Sequence, residues 1–167
     1  MIKIDDMSNT KPYKKFKSLY NKALAHNQES IEAIAISSFN KEDNQVQSRY
    51  VNLKYIIENN WVFFTNFNST KAKSFSSHDQ ISALIYWGSV GVQIRMMAKI
   101  SKTDASFSDE HFKGRDRAKN ALAISSFQSA KIDSYNQVVK NFNKINNSRD
   151  TVLNRPSYWG GYSFTPF

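Results

Sequence analysis

Five strand-like segments crowd between Ile31 and Ser101, joined by short turns, and they constrain what this chain can fold into more than any other feature. In "QVQSRYVNLKYII" the alternation at Val46, Arg49/Val51 and Leu53 has the period of two that sends successive side chains to opposite faces of a strand. The isoleucine-rich "IEAIAISSF" precedes it across the turn-like "NKEDN", and the pair predicts a β-hairpin. Asn59-Asn60 turns the chain into "WVFFTNF", while "ISALIYW" and "VGVQIRMMAKIS", separated by Gly88-Ser89, predict a second hairpin. Unpaired strand edges are a liability, and a small closed or split barrel removes them in a chain of 167 residues.

Helical periodicity lies outside this block. Pro12 opens a stretch in which Phe16, Leu19, Tyr20, Ala23 and Leu24 recur at helical spacing. A short helix is expected up to about His78, and "FSDEHFKGRDRAKNALAISSF" and "DSYNQVVKNFNKIN" are charged and helical in pattern. The aromatic "RPSYWGGYSFTPF" then returns to strand composition. Nearly identical heptamers occur in both contexts: "AIAISSF" (33–39) is assigned to a strand and "ALAISSF" (121–127) to a helix end, because their flanks differ. The expectation is an α+β protein, an antiparallel split barrel with flanking helices, forming a single domain over residues 1–167.

Composition narrows the chemistry. The absence of cysteine excludes disulfides, thiol nucleophiles and cysteine zinc sites, and His26, His78 and His111 lack ligand spacing, so no metal is expected. No apolar run approaches the roughly 18–20 residues of a membrane span, and the N-terminus has no apolar signal core, so a soluble, cytoplasmic protein is expected. Neither a G-x-G-x-x-G nor a P-loop pattern occurs among the five glycines. A formal charge of +9 points to an anionic partner. Nucleic acid is the weakest candidate, since the basic residues are spread along the chain and no recognition module is visible.

The sharpest local signal is "NFNSTKAKSF" (66–75), directly after the aromatic strand. Small hydroxyl residues, helix-start N–H groups and a lysine are what a phosphate requires. The same face argument places Arg49, Val51 and Leu53 on one side of their strand and Tyr50, Asn52 and Lys54 on the other. Gln93 and Arg95 share a face of an otherwise apolar strand, where a buried amide would need a partner.

Taken in order, "KPYKKFKSLYNKA", "RYVNLK", "FFTNFNSTKAK", "ALIYW", "VQIRMMAKI", "FQSAKI" and "RPSYWGGY" resemble the motifs of the pyridoxamine 5′-phosphate oxidase family, split-barrel flavoproteins, over nearly the whole chain. The resemblance implies bound FMN, contacted by Arg49, Tyr50, Val51, Asn52, Leu53, Lys54, Phe64, Thr65, Thr70, Lys71, Gln93, Gln128 and Ser129, with Lys71 beside the flavin phosphate. It implies a substrate phosphate held by Lys54, His111, Arg115 and Lys119, and a homodimer with FMN between the subunits. Departures from the family pattern are His111 for tyrosine, Lys119 for serine and Thr70 for arginine, the last of which should weaken the hold on FMN. The family's F-W-x-G-x-x-x-R-L-H-x-R segment does not follow "YSFTPF", so FMN binding is expected to outlast catalysis.

The implied activity is oxidation of pyridoxamine or pyridoxine 5′-phosphate by O2, giving pyridoxal 5′-phosphate and hydrogen peroxide. No general base stands out. A phenazine-biosynthesis type or other FMN-dependent oxidoreductase of the same family, and a non-catalytic FMN- or pyridoxal-phosphate-binding protein, are the alternatives.

Overall fold

The computed structural model describes residues 1–148 and 152–167. In chain order the elements are β1 (Lys3–Asp5), α1 (Lys11–Ala25), β2 (Ala33–Asn40), β3 (Gln45–Ile57), β4 (Asn60–Asn66), α2 (Thr70–Ser77), β5 (Gln80–Trp87), β6 (Val92–Lys102), α3 (Ala105–Lys113), α4 (Arg117–Ser125), α5 (Tyr135–Asn146) and β7 (Trp159–Pro166). The strands run β3-β2-β5-β6-β7-β4, and β4 pairs back onto β3, closing an antiparallel barrel of six. Both predicted hairpins form: β2 meets β3 with Ile36 opposite Arg49, and β5 meets β6 with Leu84 opposite Arg95. The two similar heptamers also separate as expected, "AIAISSF" within β2 and "ALAISSF" running off the end of α4.

Two features lie beyond the sequence reading. The three-residue β1 adds a parallel edge to β3, Lys3 opposite Tyr55. A register shift between Leu53 and Tyr55 breaks the alternation of β3, so Lys54 and Tyr55 are both half-buried, where strict alternation would put one inside and one outside.

Contacts divide the chain into two compact units. The first comprises Met1–Phe64, Ser74–Ser101 and Tyr162–Phe167. Its core follows the period of β5, where Ile81, Ala83, Ile85 and Trp87 are buried and Ser82, Leu84 and Tyr86 are exposed. α1 supplies Phe16 and Tyr20, whose rings lie 5.6 and 5.9 Å from that of Trp87, and the Trp87 indole N–H donates to the Ile31 carbonyl at 3.1 Å. Large rings bury the most apolar area per residue, which lets one 15-residue helix cover the floor of a small core.

The second unit comprises Thr65–Lys73 and Lys102–Gly161. α4 is anchored to the end of α5 by Arg117, whose Nε donates to the Asn146 carbonyl at 2.8 Å. In "RPSYWGGY" the arginine and the first glycine have separate tasks. Arg155 pairs through Nε with Asp109 at 2.7 Å and donates to the Trp159 carbonyl at 2.6 Å, tying the start of β7 to α3. Gly160 leaves space for a ring: a Cβ there would lie 2.6 Å from Phe67 Cζ and 3.0 Å from Ser108 Oγ. Gly160→Ala should therefore destabilise the protein by roughly 1–2 kcal/mol through overpacking, read as a lower urea midpoint at unchanged slope. An unchanged midpoint would mean that Phe67 gives way without cost.

Candidate functional site

The corner after β4 is built by side chains turning back on the main chain. Asn66 Oδ1 accepts from the Asn68 N–H at 2.7 Å and the Ser69 hydroxyl donates to the Asn66 carbonyl at 2.7 Å. The Ser69 carbonyl accepts from the N–H groups of Ala72 and Lys73 at 3.0 and 3.2 Å, which places Ser69 at the cap of α2. From the first turn of α2 the Lys71 ammonium donates to Thr65 Oγ1 at 3.0 Å and to Ser69 Oγ at 3.1 Å. Thr65, Ser69 and Lys71 are all buried.

A distant loop completes the corner. Thr65 Oγ1 donates to Gln128 Oε1 at 3.0 Å, across 63 residues of sequence, and the Asn66 N–H reaches the same oxygen at 3.4 Å. The loop is a tight turn, with the Ala130 N–H on the Phe127 carbonyl at 3.0 Å. Ser129 adopts a left-handed φ of 68°, a costly conformation for a residue with a Cβ. An ammonium, two hydroxyls and the positive end of a helix thus converge, and each of them stabilises an anion. Of the residues assigned to a cofactor by resemblance, Thr65, Lys71 and Gln128 are brought together here. Thr70 is the first residue of α2, half-buried, and Ser129 is exposed.

The residues assigned to a substrate phosphate in the second unit gather around Trp159. The His111 ring lies parallel to the indole, 8° between planes and 6.2 Å between centroids, and the Arg115 guanidinium sits 4.5 Å from the indole centroid. Arg115 also donates to Asn120 Oδ1 at 3.1 Å and to the Lys119 carbonyl at 3.2 Å. Burial pushes its pKa down from the usual guanidinium range, while Asp116 opposes that shift. The Lys119 ammonium points elsewhere, to the exposed Asp116 at 2.7 Å.

On β3, in the first unit, the Arg49 guanidinium is half-buried and donates to Ser38 Oγ at 2.8 Å and to the Ile36 carbonyl at 3.2 Å. Burial lowers its pKa as well, and a guanidinium nevertheless keeps its charge. Tyr50 and Asn52 are exposed, Val51 and Lys54 half-buried, and Leu53 is fully buried in the core. Phe64 lies edge-on to Tyr55, ring centroids 6.2 Å apart. Gln93, assigned to the cofactor by resemblance, is not a core amide. In β6 the inward set is Ile94, Met96, Ala98 and Ile100, so Gln93, Arg95 and Met97 face outward, and Gln93 is exposed.

Asn120 and Arg155 are structural members of these clusters that sequence reasoning gave no role, whereas Ser69 is one of the corner hydroxyls it expected. Ser69 and Arg155 stand inside the motifs "NFNSTKAKSF" and "RPSYWGGY", which is a usable signal. Asn120, within "RAKNALAIS", carries none.

No family profile matches the chain. The pyridoxine/pyridoxamine 5′-phosphate oxidase of Burkholderia lata is 30% identical over 155 residues, covering 93% of this chain and 72% of that protein. The chloroplastic pyridoxine/pyridoxamine 5′-phosphate oxidase 1 of Arabidopsis thaliana is 29% identical over 98% of this chain, which spans only 31% of that longer protein. Among solved structures, PhzG from Burkholderia lata in complex with tetrahydrophenazine-1-carboxylic acid superposes with a TM-score of 0.87 at 22% identity, covering 93% of this chain and 76% of that one. A pyridoxamine 5′-phosphate oxidase-related, FMN-binding protein from Nostoc punctiforme gives 0.74 at 12% identity, with 95% and 82% covered. Both share the barrel fold described above.

Proposed function

Since the chain belongs to the pyridoxine/pyridoxamine 5′-phosphate oxidase family, we propose that it is an FMN-dependent oxidase converting pyridoxine or pyridoxamine 5′-phosphate to pyridoxal 5′-phosphate. The observation that carries this reading is the Lys71 corner. A buried ammonium held between two hydroxyls at a helix start fits a phosphate monoester, and the family cofactor FMN ends in one. Bound flavin supplies two-electron oxidation with O2 as the final acceptor. For the alcohol substrate, two electrons and two protons leave the CH2–OH group, the aldehyde forms, and O2 becomes H2O2.

The chain's own residues bind and orient. Lys71 neutralises the cofactor phosphate, and Thr65 and Ser69, whose hydroxyl protons go to the Gln128 amide and the Asn66 carbonyl, hold its ammonium in place. Arg115, over the Trp159 ring, uses its remaining N–H groups for the substrate phosphate, with His111 on the same indole. Arg49 and Lys54 are the first unit's candidates for anionic contacts. The test is peroxide release from pyridoxine 5′-phosphate by the FMN-loaded protein. Release dependent on both flavin and substrate supports the reading, and FMN binding without turnover of either phosphate ester overturns it in favour of a binding protein.

The protein acts as a homodimer. Supporting this, the outward face of the sheet carries large apolar side chains among its polar ones: Val46 and Tyr50 on β3, Leu84 and Tyr86 on β5 and Met97 on β6 are all exposed, Tyr50 by 76% and Tyr86 by 66%. Between them β2 presents Ala33, Ala35 and Ser37, with Phe39 beyond them beside Val46, a mostly shallow strip against which a second sheet can lie. Placing charge in the middle, as Leu84→Glu with Tyr86→Glu, should convert a dimer to a monomer in sedimentation. A wild-type monomer at micromolar concentration would remove the dimer.

A second reading within the family is oxidation of a tricyclic carboxylic acid of the kind bound to PhzG. It is favoured by the engagement of Lys119 with Asp116, which leaves a single guanidinium as the strong anion donor beside Trp159. A panel pairing phosphorylated and carboxylated substrates separates the two readings.

A further inference from the structure

Asn120 is buried in α4, and both ends of its amide are used. Its Nδ2 donates at 2.8 Å to the Phe112 carbonyl, in the last turn of α3. That carbonyl is only an acceptor, so it fixes the amide's orientation and leaves Oδ1 facing Arg115, whose Nη1 donates to it at 3.1 Å. The second terminal nitrogen of Arg115 is held by the Lys119 carbonyl at 3.2 Å, and the guanidinium carbon lies over the Trp159 ring, 4.5 Å from its centroid. A guanidinium has five N–H donors in a rigid plane, so two bonds to its terminal nitrogens and the indole beside its carbon limit where the other three point.

We propose that Asn120 is a positioning residue that sets the plane of the Arg115 guanidinium, and so sets the preference of the site for a phosphorylated over an unphosphorylated ligand. The proposal rests on the reading, made above, that Arg115 meets the substrate phosphate. A long arginine side chain at the mouth of a site samples many rotamers, and binding an anion must then oppose that entropy. Asn120, fixed from α3, removes much of the freedom in advance. Its place in the fold explains why an asparagine serves here: an aspartate would turn a carboxylate toward the Phe112 carbonyl and neutralise the arginine, while an apolar residue would remove one hydrogen bond from that carbonyl and one of the two that fix the guanidinium.

The experiment titrates FMN-loaded protein with pyridoxal 5′-phosphate and with pyridoxal, for the wild type, Asn120→Ala, Asn120→Asp and Arg115→Ala. Arg115→Ala should abolish most of the preference for the phosphorylated ligand. Asn120→Ala should raise the Kd for pyridoxal 5′-phosphate about five- to tenfold and leave that for pyridoxal unchanged. Asn120→Asp, nearly the same size, should raise it further, since its carboxylate competes for the guanidinium. If Arg115→Ala leaves the preference intact, the underlying assignment of Arg115 falls and the proposal with it. If Arg115→Ala removes the preference but both folded Asn120 variants keep it, or if they weaken both ligands equally, positioning by Asn120 is wrong while the Arg115 assignment stands. Should Asn120→Ala fail to fold, the aspartate variant alone decides between these outcomes.

Discussion

Lys71→Ala is expected to weaken FMN binding by about 1.5–3 kcal/mol, roughly a ten- to hundredfold rise in Kd, while changing the stability of the flavin-free protein little. The two halves of this expectation have different causes. Binding loses a charge-assisted contact between an ammonium and a phosphate oxygen, among the stronger polar interactions a protein makes. Folding loses less, because the two hydroxyls that accept from Lys71 keep other partners. Thr65 still donates to Gln128 and Ser69 still donates to the Asn66 carbonyl, so neither is left without a hydrogen bond. Removing a nearly buried charge also relieves its desolvation cost. Flavin fluorescence quenching measures the first quantity and a urea melt of the flavin-free protein measures the second. Equal FMN affinity in wild type and variant would take Lys71 out of the site, and a large loss of stability with unchanged affinity would make it a structural residue.

Trp87→Ala should cost about 3–5 kcal/mol of folding stability, a large share of what a domain of this size holds. The indole is 1% exposed and meets Phe16 and Tyr20 of α1, so truncation opens a cavity at the contact between the helix and β5. It also leaves the Ile31 carbonyl without the indole N–H that satisfies it at 3.1 Å. Trp87→Phe separates these contributions, since it keeps most of the ring and loses only the donor, and it should fall well short of the alanine cost. Urea denaturation of both variants is the measurement. A loss below about 1 kcal/mol for the alanine would show that α1 collapses onto the vacated space.

Much of the architecture could be read from one dimension because it depends on neighbours in sequence. The period of two in β3 and β5, the turn after β3, which falls at Glu58-Asn59, one residue before the expected Asn59-Asn60, and the spacing of Phe16 and Tyr20 are local statements about backbone geometry and side-chain direction. The clustering of polar groups in "NFNSTKAKSF" was legible for the same reason: Thr65, Ser69 and Lys71 lie within one strand-to-helix corner, where a few residues of chain bring them within hydrogen-bonding distance. The heptamers "AIAISSF" and "ALAISSF" mark the limit of that legibility. Only their flanks, a turn signal in one case and a charged helical pattern in the other, distinguish strand from helix.

Tertiary structure decided whatever joins distant segments or breaks a period. Alternation alone put Gln93 on a polar face without saying which face is inside; the barrel turns Ile94, Met96 and Ala98 inward, because burying them gains more than burying an amide that would then need a partner. The irregularity between Leu53 and Tyr55, which leaves Lys54 half-buried, is set by pairing with β4 and has no signature in "VNLKY". Gln128 reaches Thr65 across 63 residues, and Asn120 links Phe112 to Arg115 across the break between α3 and α4. A hydrogen bond of this kind depends on tenths of an ångström between elements whose relative placement comes from packing, and packing sums over the whole core, so no short stretch of sequence contains it.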